Sequence, residues 1–266
     1  MFERVLALTF LLSTAGAAAA VLPSCSQPNL NCIAGHGGYA TKYTLKAGSK
    51  QGAGTCDTLK GEHVGLEKYN PSTTGDPMQQ DLTRATLALR TETIGVVADE
   101  LQTTSGAPTV DLTQIDSQGA FTSVDPDKND LCHVPTLNPA SLDAPAFNLA
   151  MGMQGAVKVT YAWSNVRVLT TNAYQGIVFA ADLKYTDAVQ GCTAEYQALG
   201  LYPAVGCSVT DAMGNTTLDP SLCDPAANPD AGHAAGSGIN PDFQPNVYCD
   251  PDVKLCMLKV APPNLQ

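Results

Sequence analysis

Nine cysteines lie between residues 25 and 256, and their odd number constrains this chain more than any other feature. Eight can close four disulfides, which form and persist in oxidising compartments. The ninth, Cys25, stands directly behind an apolar leader-like stretch, where a thiol can carry lipid instead.

The leader has the three parts of a secretory signal. Met1-Phe2-Glu3-Arg4 supplies one cationic side chain, residues 5–12 are apolar, and Ala15-Gly16-Ala17-Ala18-Ala19-Ala20 forms a small-residue cleavage zone. A transmembrane helix is the other reading of residues 5–22, but Ser13, Thr14, Gly16 and the alanines make it weakly hydrophobic. Cleavage after Ala20 satisfies the A-x-A rule and releases a soluble chain beginning at Val21. Cleavage before Cys25 would use Leu22-Pro23-Ser24-Cys25, which resembles a bacterial lipobox, with Pro23 as its departure from that pattern. Several acyl chains on Cys25 would give the stable anchoring that one chain cannot, and this form also accounts for the odd cysteine. The expected compartment is therefore the outer membrane or cell surface, and otherwise the periplasm or the medium. The chain divides into a signal peptide, 1–24, and one β-rich domain, 25–266.

About 240 residues remain after the leader, enough to bury a real core. Only 15% are charged, well below the usual quarter, while Gly, Pro, Ala and Thr are abundant. Long helices and coiled coils, which need Glu, Lys and Arg, are disfavoured. The net charge of −11 argues against phosphate backbones and anionic membrane surfaces as partners, and Lys42, Lys46, Lys50 and Lys60 form no basic cluster.

Period-two alternation dominates the mature chain, as strands with one buried face require. Tyr39, Thr41, Tyr43 and Leu45 alternate with Ala40, Lys42, Thr44 and Lys46; Val157, Val159, Tyr161 and Trp163 alternate with Lys158, Thr160 and Ala162. A break at Ser164-Asn165 suggests a bulge or tight turn before Val166-Arg167-Val168, and residues 177–185 and 193–201 complete a meander. Trp163, Tyr161, Phe179 and Tyr185 read as core. Residues 94–101 read as two helical turns, 71–77 as an exposed loop, and 110–124 as an extended region broken at Gly119. Residues 134–155, with three prolines, mark an internal boundary or a long crossover. The expected fold is mainly β: an antiparallel, sandwich-like scaffold with a disulfide-pinned, turn-rich C-terminal region.

That last region needs pinning, because after Tyr202 the pattern dissolves into Asp-Pro and Asn-Pro turns with little apolar surface. Local spacing suggests a hairpin closed by Cys249 and Cys256, then Cys192 with Cys207, Cys32 with Cys56, and Cys132 with Cys223. Eight cysteines allow 105 connectivities, so these pairs rest on proximity in sequence alone.

Chemical signatures are sparse. Residues 187–253 contain nine acids and no Lys or Arg, which reads as a solvated loop surface or, more sharply, as a cation site. Asp125, Asp127 and Asn129 alternate as calcium ligands would, yet an EF-hand's sixth-position Gly and twelfth-position Glu are replaced by Asp130 and Thr136. An Asp-Pro turn explains that segment without a metal. No C-x-x-C pair exists, and His36, His63, His133 and His233 stand apart. Gly35-His36-Gly37-Gly38 resembles an esterase oxyanion loop, but no G-x-S-x-G elbow accompanies it.

Lys42-Tyr43-Thr44-Leu45-Lys46, Glu67-Lys68-Tyr69-Asn70-Pro71, Trp163-Ser164-Asn165-Val166-Arg167-Val168, Cys192-Thr193-Ala194-Glu195-Tyr196 and residues 236–243 together are similar to a group of exported, cysteine-containing, lipoprotein-like proteins of myxobacteria-like Gram-negative bacteria. The resemblance spans most of the mature chain. It implies export and anchoring, and it carries over no catalytic residue and no cofactor. The resulting expectation is a non-enzymatic, lipid-anchored binding or structural module that meets outer-membrane lipid through its N-terminus and an envelope or extracellular protein or glycan through its loops. The alternative is a secreted hydrolase using paired carboxylates, stabilised by calcium.

Overall fold

A computed structural model describes residues 30–266. Its main feature is one ten-stranded antiparallel sheet. The principal strands are β1 (Gly37–Leu45), β2 (Gly61–Tyr69), β3 (Thr86–Thr91), β4 (Ser117–Ala120), β5 (Leu131–Thr136), β6 (Ala140–Ala144), β7 (Val157–Thr170), β8 (Gln175–Asp187) and β9 (Cys192–Leu201). They run in the order β4-β3-β2-β1-β9-β8-β7-β5, with β6 on the same edge of β7 and the short strand Gln51–Gly52 on β9. The expected meander is β7-β8-β9. Within residues 134–155, β5 and β6 both pair with β7, and Phe147–Leu149 with Gly152–Gln154 form a separate two-stranded hairpin.

The two edges of the sheet meet. Thr122 N donates to His133 O at 2.9 Å, Asn138 N to Gln118 O at 2.9 Å and Ser141 N to Gln114 O at 2.7 Å, so the sheet curls into a barrel. Gly119 makes this closure possible and does not break the strand. A Cβ there would lie 2.4 Å from Thr136 O on the opposing edge. The extended region of 110–124 is accordingly shorter than its alternation suggests, and residues 71–77 hold a small exposed hairpin.

Inward residues alternate along each strand as the pleat demands. Tyr39, Tyr43, Val64, Leu66, Leu87, Leu89, Tyr161, Trp163, Phe179, Leu183 and Tyr196 share one core. In β7 the inward positions change from odd to even numbers, with Trp163 followed by Val166 and Val168. The cause is a bulge between Ser164 and Arg167, with Asn165 at φ 50°, a conformation Asn tolerates better than most residues.

Helix α1 (Glu92–Thr103) packs Ile94, Val97, Ala98 and Leu101 against the same core, a spacing that puts all four on one face. Beyond β9 the chain folds back over the outer surface of the meander. Ile239, Phe243, Val247, Leu258 and Leu265 cover Leu169, Val178, Ala180 and Leu201 in a second core. Strand β8 is therefore buried on both faces, which accounts for its nearly unbroken apolar run.

Four disulfides join the eight cysteines, and none has the partner that local spacing suggests. Cys32 bonds Cys132, Cys56 bonds Cys192, Cys207 bonds Cys249 and Cys223 bonds Cys256, with Cα separations between 5.5 and 5.7 Å. The pairings Cys249–Cys256, Cys192–Cys207, Cys32–Cys56 and Cys132–Cys223 are all corrected. The hairpin itself exists: β10 (Val247–Cys249) pairs with β11 (Cys256–Leu258), and Cys249 lies directly opposite Cys256. Each of those thiols nevertheless bonds outward to the preceding loops. Sheet pairing had already brought distant chain together, so bridges crossing 33 to 136 residues need no detour.

Candidate functional site

Cys25 lies outside the described residues. The described chain begins at Leu30, which lines a cleft of about 680 Å³ with Asp125, Asp127, Asp130, Thr170 and Thr171. Two residues on, Cys32 is bonded to Cys132 on β5 and donates its N–H to Val124 O. The amino-terminal segment is thus fixed at the Thr170 end of β7.

The calcium candidates Asp125, Asp127 and Asn129 border this cleft or adjoin it, but Asp127 is already engaged. Its Oδ1 accepts from the N–H groups of Asn129 and Leu131 at 2.8 and 2.9 Å, and its Oδ2 faces His133 Nε2 at 3.0 Å. The His133 contact, with these backbone donors, holds its carboxyl below the ordinary range. This is an Asp acting as the lock of its own turn. Cys132 and His133 point to opposite faces, as neighbours on a strand must.

The same economy governs the acidic tail. Asp211 accepts from the backbone of Met213 and Asn215, and Asp250 accepts from Asp252 and Val253 and from the Tyr248 hydroxyl. Asp187 accepts from Gln190. Their negative charges serve as turn caps. Among the described residues, the one group of Cys, His, Asp or Glu ligand atoms close enough to share a metal is Cys207, Cys223 and Cys256, and those sulfurs are in disulfides.

One constellation escaped the sequence reading. Ser221 Oγ lies 2.7 Å from His233 Nε2, and Asp219 Oδ2 lies 3.2 Å from the same nitrogen. A catalytic triad places serine and carboxylate on opposite nitrogens of the ring. Here both crowd Nε2, and Ser221 also donates to Asp219 Oδ1 at 2.5 Å. Asp219 is the N-cap of the short helix Pro220–Cys223 and also accepts from Ser221 N. The group is a capping cluster, and the serine's proton is directed to the carboxylate.

A second polar group lies inside the barrel. Glu62, 8% exposed on β2, accepts from Thr93 N and Thr93 Oγ1 at 2.9 Å and from the Tyr43 hydroxyl at 3.0 Å. Burial pushes the Glu62 carboxyl above its ordinary value, opposed by the hydrogen bonds from Thr93 and Tyr43. The Tyr161 hydroxyl faces the same carboxyl without meeting hydrogen-bond geometry. Alternation along 61–69 makes position 62 legible as inward, but its charge gave no reason to place it in a core.

Asp125, Asp127 and Asp130 line the cleft of about 680 Å³, where Asp127 is held by its own turn and by His133. No helix among the described residues is long and apolar enough to cross a membrane.

The family described as MlpA matches residues 37–203, which span β1 through the end of the meander. A curated protein of Myxococcus xanthus, described as "Putative lipoprotein MlpA", is 30% identical over 241 residues, covering 88% of this chain and 86% of that protein. No solved structure matches the chain significantly.

Proposed function

Because the chain belongs to the MlpA family, we propose that it is a lipid-anchored envelope protein, attached through Cys25 and acting as a non-enzymatic binding or structural module. The observation that carries this reading is the 30% identity to a protein described as a lipoprotein, extending over nearly the whole of both chains.

The geometry supports it physically. Six residues separate Cys25 from the disulfide at Cys32, seven Cα steps with a reach of at most about 25 Å. An anchored molecule would therefore stand with the Thr170 end of β7 near the bilayer. The opposite end of β7, about 45 Å away along the strand, carries the uncharged hairpin 147–154 with Met151 fully exposed. Surface loops on a barrel closed by hydrogen bonds and disulfides are suited to recognition, since the scaffold holds them without their own core.

Intact-mass analysis of the mature protein from native membranes tests the anchor. Acylated Cys25 at the N-terminus is expected, and Cys25→Ser should move the protein to the soluble fraction. A mature chain starting at Val21 with an unmodified Cys25 would overturn the anchored reading.

A further inference from the structure

Where the C-terminal tail leaves the second core, it borders a cleft of about 410 Å³ on the outer face of the barrel. Its lining includes Lys42, Asn165, Arg167, Gln197, Lys259 and Gln266. The register explains the cations. Arg167 on β7 stands opposite Ala180 on β8, Ala180 opposite Leu199 on β9, and Leu199 opposite Lys42 on β1. Two long cations thus bracket a row whose middle is a methyl group and a leucine, with backbones about 14 Å apart across three strand spacings. Ala180, 7% exposed, contributes only a methyl group to the cleft wall between them.

The lining holds three cations, Lys42, Arg167 and Lys259, and one acid, Asp182. Arg167 Nε is buried and has no hydrogen-bond partner. The acid nearest it in the cleft, Asp182, is held by Lys46 at 2.9 Å and by Asn165 at 3.2 Å. Lys42 Nζ sits over the Tyr248 ring, 5.5 Å from its centroid, and Lys259 Nζ reaches only Pro245 O at 3.5 Å. In a chain of net charge −11, a lining with three cations and one acid is a local excess of positive charge. A buried guanidinium N–H without a partner is costly, and the guanidinium fork is the side chain best matched to planar oxyanions.

We propose that this cleft binds a small oxyanion-bearing molecule, its carboxylate or phosphate held by Arg167 and Lys42, with Lys259 at the mouth. The volume lies in the range of small-molecule sites, and the Asn165 and Gln197 amides offer hydrogen bonds to hydroxyls on such a ligand. This deepens the binding half of the proposed function and is independent of the lipid anchor, so the mass analysis of Cys25 and the titration below can fail separately.

Calorimetric titration of the mature protein with inorganic phosphate and, separately, with glucuronate at constant ionic strength tests the site and tells phosphate from carboxylate. Saturable binding of at least one probe is expected. Arg167→Gln and Lys42→Gln should each weaken it about 10-fold or more, the loss of a charge-assisted hydrogen bond. Lys158→Gln, which removes a cation paired with Asp143 outside the cleft, should leave affinity unchanged. Should Arg167→Gln fail to fold, Lys42→Gln and the exposed Lys259→Gln carry the comparison. Absence of saturation by both probes up to about 10 mM, or equal weakening by Lys158→Gln, overturns the proposal.

Discussion

Glu62 and Thr93 join the barrel wall to the helix at its end: one carboxylate oxygen of Glu62 accepts both the backbone N–H and the hydroxyl of Thr93, each at 2.9 Å. Thr91, the N-cap of α1, makes no side-chain cap bond, so a residue from another strand performs the capping that a neighbour in sequence usually supplies. Removing the acceptor in Glu62→Ala strands the buried Tyr43 hydroxyl and takes the cap away from Thr93. A loss of about 1–3 kcal/mol is expected in urea unfolding, and an unchanged midpoint would remove Glu62 from the set of structural residues.

The same residue sets a pH dependence. Its proton affinity is raised in the fold above the ordinary value of 4.5. Its contribution is therefore complete below that value and is lost as pH rises through the higher folded value. Glu62→Gln stays neutral throughout. Its stability relative to the parent should improve between about pH 4 and about pH 7, measured by urea melts at both. A relative stability that worsens with rising pH would contradict the direction.

Gly200 lies opposite Phe179 in the β8–β9 pair, and a Cβ at Gly200 would fall 2.0 Å from Phe179 Cε1. The ring, fully buried, occupies the space a side chain would need. Gly200→Ala should cost about 1–3 kcal/mol or more through overpacking. Gly65→Ala, whose Cβ would meet only Arg90 O at 3.6 Å, should cost less. Equal thermal midpoints for the two variants would show that the Phe179 ring moves aside freely.

Non-reducing peptide mapping should recover Cys249 linked to Cys207 and Cys256 linked to Cys223. Recovery of a Cys249–Cys256 peptide would reject that connectivity. Replacing both Cys207 and Cys249 with Ser should remove at most about 4 kcal/mol, the chain-entropy contribution of a 42-residue closure.

Calcium should leave the thermal midpoint within about 1 °C, because the Asp127 oxygens are occupied by their own turn. A site saturated 100-fold above its dissociation constant would raise it by about 5–10 °C in a domain of this size. Such a rise would return Asp125, Asp127 and Asn129 to a metal-binding role.

Much of the scaffold was legible because strand alternation is a local property. Tyr39 and Tyr43, Tyr161 and Trp163, and the apolar face of α1 each announce their burial within a few residues. The disulfide partners were not legible, since Cys32 and Cys132, or Cys56 and Cys192, become neighbours only after strands far apart in sequence have paired. Gly119 was misread for the same reason: its lack of a side chain matters to Thr136 on the other edge of the sheet, not to its own strand. The Ser221, His233 and Asp219 cluster is likewise assembled by a turn that leaves no periodic mark.

By itself, then, the amino-acid pattern determined an antiparallel β protein with an export-like leader, because hydrophobic alternation, small cleavage-site residues and cysteine content act through near neighbours. Only the tertiary structure decided that the sheet closes on itself, which thiols meet, and that Lys42 and Arg167 face one cleft across three strands. The reason is register. Strand pairing sets residues opposite one another at fixed spacing whatever their separation along the chain, and so turns cations dispersed in sequence into neighbours in space.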